Sequence, residues 1–509
     1  KASELLPEPD NPVITVRLFR GILTSIFFKL CSRAPFMNKN LLFDEIDKLI
    51  SLSWMQEKHF VKYGEMRYAL LGYNDLDIAE WESEHGKPII DTRPNDYFSI
   101  QKISEALEAK ISQVPKEIHV SSPLFQDWQV GVKDSLNQII GSECIMLLKS
   151  GTEANLIATD MLSHKNIPVY FDKHTHATTR CGFNLARGRM LESIEVFKKA
   201  LNRLEKSNTS EEDIRRIIQK PLLKILESVG FYSFNHNDYD DLDERIKKHG
   251  PGIVYTEGLF SVYGDLLNPE IAEIAKKHDC SLVIDESHSL FGTATSDLTI
   301  NRTLPAKADI LTASLSKAGC SLLGVIGLQP EFFEKRYIYL EKKLNRPLTD
   351  AERERAKLSL FNLFRRHTIF VFSNAPSDIE ESGLQARMNF LFQNPERRAI
   401  LLDKTKYIRE KIRNAGIKLL SESPMMFFEM GSEPDSVEFR NYLIEQYGII
   451  GSLYIPPATP INGAGVRLCV NYDICSDNEQ VERFIYGIID AHKKIKFDNK
   501  CRKKSELYL

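Results

Sequence analysis

Short apolar runs punctuate the chain from about residue 85 to residue 330, at 144–148, 168–171, 253–255, 281–284, 310–313 and 324–328. Amphipathic stretches of helical period separate them. Runs that are apolar at every position, rather than at alternate ones, fit strands buried on both faces of a sheet. The predicted fold is therefore α/β, with a mainly parallel sheet between two layers of helices. Residues 41–70 repeat apolar positions, among them Leu42, Ile46 and Ile50, near the helical period. Over the last 110 residues the pattern predicts a smaller α+β unit, with helices near 400–414 and 435–447 and strands at 425–430 and 466–471.

This divides the chain into an N-terminal helical extension (1–84), a large domain (85–370), a small C-terminal domain (371–490) and a basic tail (491–509). Two charged, helical segments, at about 190–230 and 331–367, read as insertions into the large domain. Each holds a capping-box signature, Thr209 with Glu212 and Thr349 with Glu352, in which a hydroxyl and a carboxylate satisfy each other's orphan amides at a helix start. Solvated surface helices, a lid or a partner surface all fit these segments. Residues 13–36 are apolar but broken by Arg17, Arg20, Lys29 and Arg33. The uncharged stretch is far shorter than the roughly 20 residues a spanning helix needs. No small-residue cleavage site follows, so a signal peptide is not expected. A helix packed on the protein or its partner fits, and so does a weak membrane-surface contact.

At 509 residues the chain is long enough for a large domain with a smaller companion, and its formal net charge of −3 gives no general attraction to nucleic acid. Eight cysteines are scattered without a CxxC pair. Neither a metal site nor a disulfide framework is predicted, and free thiols suit a cytoplasmic location.

The candidate chemistry lies where the apolar runs end. Leu282-Val283-Ile284 leads into Asp285-Glu286-Ser287-His288, and 310–313 leads into Ser314, Ser316 and Lys317. A carboxylate after a buried strand needs a cationic partner. A protonated pyridine nitrogen supplies one, and a lysine at the next strand end supplies the amine for a Schiff base with pyridoxal phosphate. His288, three residues after Asp285, is placed to donate to the ring's phenolic oxygen. Ser150-Gly151-Thr152-Glu153-Ala154-Asn155 stands between a strand and a helix, a design that turns free amides and the helix dipole toward an anion. His176 follows another strand and is suited to stack on the cofactor ring, and Glu257 and Ser261 follow a further one. In open parallel sheets ligands bind beyond the carboxyl ends of the strands, so these segments converge on one edge.

Together these residues resemble the α-oxoamine synthases, a branch of the fold-type I, class II aminotransferase-like enzymes that use pyridoxal phosphate. The likeness spans about 90–490. It runs through Asn95-Asp96-Tyr97, the SGTEAN run, His176, His236-Asn237-Asp238, Glu257 to Ser261, DESHS, Lys317 and Val466-Arg467-Leu468. Within that family the chain is most similar to the quorum-sensing synthases that make α-aminoketone precursors of α-hydroxyketone autoinducers. Three stretches carry the narrower match: 248–253, 312–317 and 451–459. The resemblance implies that Lys317 is the Schiff-base lysine, Asp285 the pyridinium partner, His288 a contact of the phenolic oxygen and His176 the stacking ring. It implies that Gly151, Thr152 and Ser314 bind phosphate and that Ser261 lies beside the cofactor. Arg467 would pair with an amino-acid carboxylate, which its planar fork suits, and Thr459 would lie near the substrate. Acyl-CoA and an amino-acid-like donor would be the substrates, and a homodimer with active sites at the subunit interface the assembly.

The chain also departs from the family pattern. The glycine-rich loop of the biotin- and haem-pathway members is replaced by 120–126. Ala375 stands where a threonine normally reaches the neighbouring subunit's phosphate, and Leu322-Leu323-Gly324 replaces a more glycine-rich stretch. A hydrogen bond to a charged group contributes about 1.5–3 kcal/mol, so Ala375 is expected to lower cofactor affinity unless Ser373 or Asn374 compensates. Two other readings fit the same residues: another reaction of the same cofactor, aminotransfer or aldol cleavage, and a non-catalytic subunit of the same fold.

Overall fold

The computed structural model describes residues 75–100, 130–164, 167–192, 230–455, 458–459 and 462–506. The expected helix at 41–70, the segment 13–36, the loop 120–126 and the capping box at Thr209 lie outside the described residues. So does nearly all of the insertion at 190–230.

In chain order the first strands are β1 (Ile90–Asp91), β2 (Cys144–Leu148), β3 (Val169–Asp172) and β4 (Phe231–Phe234). There follow β5 (Ile253–Glu257), β6 (Ser281–Asp285), β7 (Ile310–Ser314) and β8 (Gly324–Leu328). Seven of them form one sheet in the order β2-β8-β7-β6-β5-β3-β4. Only β8 runs against its neighbours, so the carboxyl ends of the other six strands share an edge. The expected parallel α/β plan is what forms. Alternate residues of each run enter different cores: Leu282 and Ile284 pack on one face, Val283 on the other. That explains why these strands lack polar alternation. β4 leaves little trace in the pattern because it is a short edge strand in which only Phe234 is fully buried.

The smaller unit holds β9 (Met425–Gly431), β10 (Ile449–Ile450), β11 (Ser452–Tyr454) and β12 (Ala464–Cys469). β9, β11 and β12 make an antiparallel sheet with β12 in the centre, while β10 pairs with β1. The helices Glu396–Asn414, Glu433–Tyr447 and Asn478–Glu506 belong to this unit. β12 stops short of the expected 471 because Asn471 turns its side chain to cap the next helix, accepting from the Ile474 amide at 3.0 Å. The segment 331–367 forms the helices Pro330–Leu344 and Asp350–Arg365, with the Thr349–Glu352 capping box closed. Phe332, Phe333, Tyr337 and Phe364 bury its inner side against the sheet. Among the described residues no helix is long and apolar enough to cross a membrane.

Candidate active site

The site is built at the shared carboxyl edge of the sheet, around a cavity of about 220 Å³. Ser150 ends the loop after β2 and caps the helix Gly151–Leu162. Its Oγ accepts from the Glu153 amide at 3.1 Å, and Glu153 reaches back to the Lys149 amide at 3.0 Å. The first amides of the helix, at Gly151 and Thr152, precede any intrahelical acceptor and border the cavity. A Cβ at Gly151 would collide with Cα and Cβ of Ser314 at the end of β7. Only glycine lets the helix start come this close. Beside it, the Ser314 and Ser316 hydroxyls lie 2.7 Å apart. Amides, helix dipole and hydroxyls therefore converge where a phosphate dianion would sit.

Asp285 closes β6 beneath the same cavity and is only 7% exposed. Its Oδ1 accepts from the Ser287 amide at 2.9 Å and the Ser287 hydroxyl at 2.5 Å, and its Oδ2 accepts from Asn155 Nδ2 at 2.7 Å. Asn155 is held in turn by the Thr312 hydroxyl, which donates to its Oδ1 at 2.6 Å. The carboxylate is thus oriented with lone-pair capacity left for one cation. Asn155 is part of the SGTEAN run, but no local pattern assigns it this role. Its signal was its place one turn into the helix that starts at Gly151.

His288 is buried, and burial, then the nearby Lys317 charge, hold its imidazole well below the usual range. Burial also keeps the Tyr97 phenol protonated. Tyr97 therefore donates to His288 Nδ1, 2.8 Å away, which leaves the proton of the neutral ring on Nε2. His176 follows β3. Its ring Nδ1 lies 2.8 Å from the Thr178 hydroxyl, and its amide donates to Glu257 Oε1. Burial lowers the His176 pKa as well. Glu257 stands opposite Asp285 in the β5–β6 register; burial, and then the Asp285 charge, push its carboxyl well above the usual range. Lys317 lies in the turn from β7 to β8. Burial, then the Arg467 charge, lower its pKa, which favours the free amine.

Seven of the residues picked from sequence, namely Gly151, Thr152, His176, Asp285, His288, Ser314 and Lys317, border this single cavity. Ser261 and Arg467 stand outside its wall but are joined to each other: Arg467 Nη1 donates to the Ser261 carbonyl at 2.6 Å and Nη2 to Asn95 Oδ1 at 3.3 Å. The guanidinium carbon lies 4.9 Å from the centre of the Tyr454 ring. Arg467 Nε and the Thr459 hydroxyl are buried without a protein partner among the described residues, a capacity that a polar ligand would use. Ala375 is buried, and the Ser373 hydroxyl is spent on the Asn374 carbonyl at 3.1 Å. A larger cavity of about 320 Å³, beside Phe98, Phe291 and Arg398, contains none of these groups.

A buried oriented carboxylate, a lysine with a lowered pKa, a neutral imidazole donor and an anion-binding helix start define a pyridoxal phosphate site on a fold-type I scaffold. The chain belongs to the family described as aminotransferase class I and II, which matches residues 223–485. Within that family the likeness is to the α-oxoamine synthases. The CAI-1 autoinducer synthase of Vibrio campbellii is 24% identical over 390 residues, covering 75% of this chain and 82% of that protein. The serine palmitoyltransferase of Sphingobacterium spiritivorum is 21% identical over 369 residues, 70% of this chain and 75% of the relative. Among solved structures, Sphingomonas wittichii serine palmitoyltransferase superposes with a TM-score of 0.61 at 18% identity, covering 81% of this chain and 89% of that one.

Proposed function

We propose that this chain is an acyltransferase that condenses an amino acid, or an amino-acid-like donor, with an acyl-CoA to give an α-aminoketone that serves as an autoinducer precursor. The observation that carries the reading is the joining of Lys317, Asp285, His288 and the Gly151 helix start in one cavity, with a buried arginine beside it. Pyridoxal phosphate, when bound, supplies the electron sink that stabilises negative charge at the donor's α-carbon. Asp285 would offer its free lone pair to the ring nitrogen, Gly151, Thr152 and Ser314 would hold the phosphate, and His288 would donate its Nε2–H to the phenolic oxygen. Arg467 fixes the donor carboxylate. The Lys317 amine takes the α-proton, for which its lowered pKa suits it. The α-carbon then bonds to the thioester carbonyl carbon, the C–S bond breaks, and CoA leaves as the thiol after taking up a proton.

The resemblance to α-oxoamine synthases supports a homodimer with the site near its interface, in the cytoplasm. Leu322 favours that assembly: it borders the cavity yet is 70% exposed. Release of free CoA thiol, followed while acyl-CoA chain length and amino donor are varied, tests the proposal. Thiol release that needs both substrates is expected, with a ketone product whose mass is that of donor plus acyl-CoA minus CoA, less carbon dioxide where the donor carboxylate is lost. Amino-group exchange with a 2-oxo acid and no thiol release would favour an aminotransferase and overturn it.

A further inference from the structure

His236 belongs to a sequence motif that the proposed chemistry leaves unused. Its neighbours in the motif have structural jobs: Asn237 takes a positive φ of 54°, and Asp238 caps the helix Tyr239–His249. His236 does not. Its Nδ1 lies 2.9 Å from Asp172 Oδ1 and its Nε2 lies 2.7 Å from Asp265 Oδ2. A ring with a carboxylate at each nitrogen is satisfied only when both nitrogens carry hydrogen. Burial opposes that charge, but the two carboxylates outweigh it and raise the pKa to about 9.

Each carboxylate belongs to a different active-site loop. Asp172 ends β3 and also accepts from the His174 amide at 2.7 Å, fixing the turn that leads to His176. Asp265 closes the hairpin that carries Ser261: its backbone carbonyl accepts from the Phe260 amide at 3.0 Å, and the Ser261 carbonyl holds Arg467. Buried Glu257 ties the same two loops from the cavity side, accepting from the His176 amide and, at 3.3 Å, from the Ser261 amide. The other groups facing His236 do not compete for its charge. His174 stacks on it at 3.9 Å and is pushed down to about 4 by burial and then by the His236 charge. Tyr263 stacks on His174, Phe260 meets the His236 ring edge-on, and burial keeps the Tyr263 phenol protonated. Among the described residues no group of three or more His, Cys, Asp or Glu could hold a metal ion, so this cluster is read as an ion-pair chain.

We propose that His236 is a positioning residue, a charged clasp between Asp172 and Asp265 that sets the His176 loop and the Ser261–Arg467 pair in register around the cofactor. This rests on the pyridoxal phosphate site, not on acyl transfer, so a failed thiol-release assay leaves it standing.

The test uses the full chain freed of cofactor, with pyridoxal phosphate itself as the probe. A charge-assisted hydrogen bond contributes about 1.5–3 kcal/mol, so His236→Gln is expected to weaken pyridoxal phosphate binding about tenfold or more at neutral pH. Wild-type affinity should fall as pH passes about 9, while the affinity of the variant shows no such step. Nitrogen NMR of the wild-type imidazoles should find both His236 nitrogens protonated at neutral pH and titrating with that step. Equal affinity of variant and wild type would overturn the clasp. If the variant does not fold, the wild-type titration decides: a singly protonated His236 at neutral pH, or an affinity with no step near its titration, overturns the proposal.

Discussion

Asp285 shows how much of the site is decided by one carboxylate and its holders. Three hydrogen bonds, from the Ser287 amide, the Ser287 hydroxyl and Asn155, fix its plane. Asp285→Asn keeps the shape but removes the charge that a pyridinium needs. Turnover should fall by about ten- to a hundredfold, as expected for losing a charged hydrogen bond of about 1.5–3 kcal/mol, with little loss of folding stability; steady-state kinetics and a melting curve separate the two. Asn155→Ala should cost less, about tenfold, because Ser287 still holds Oδ1. Asp285, His288 and Lys317 stand out in the chain because two successive strand ends offer an acid, an imidazole and a lysine together, a combination that suits a cofactor better than any one of them alone. Asn155, Tyr97 and Glu257 were harder to assign. Their roles come from contacts with Asp285, His288 and His176, which the fold alone brings near, and polar residues at a helix start or a strand end have ordinary structural uses as well.

Two elements do the positioning: the helix start at Gly151 and the paired strand ends of β5 and β6. Gly151→Ala would force the helix away from Ser314. Overpacking of this kind costs about 1–3 kcal/mol, so both thermal stability and pyridoxal phosphate affinity should drop. Thr349→Ala is the contrast. It removes the cap of the helix Asp350–Arg365, should cost about 1 kcal/mol, and should leave turnover unchanged. The His236 clasp also links pH to stability. His236 has its pKa raised on folding, so its contribution is full below the unfolded value of about 6.5 and is lost as pH rises through about 9. Between those limits the melting temperature of the wild type should fall relative to that of His236→Gln. The central strands end within two residues of the apolar runs that predict them, because continuous apolar runs are distinctive. β4 and the short β1–β10 pair were not, because edge and two-residue strands bury too little to imprint a pattern.

At the scale of the molecule, the large sheet supplies the cofactor groups and β12 of the small unit supplies Arg467, joined through the Ser261 carbonyl. Arg467, proposed to hold the donor carboxylate, and Lys317 thus come from different sheets of the fold, and relative motion of the two units would change the site. Leu322→Asp, at an exposed position bordering the cavity, should shift the proposed homodimer toward monomer in sedimentation experiments and weaken cofactor binding with it. The alternation of strands and helices made this architecture readable in advance. The pairing of β12 with the large domain's loops was not readable, because no local pattern encodes it.

The proposed attachment of pyridoxal phosphate to Lys317 underlies every other role assigned to the site. Borohydride reduction of the purified protein, followed by peptide mass mapping, tests it directly. One pyridoxyl group per chain is expected on the peptide that contains Lys317, and none after Lys317→Ala; a pyridoxyl group on another lysine, or undiminished labelling of the variant, would rule Lys317 out.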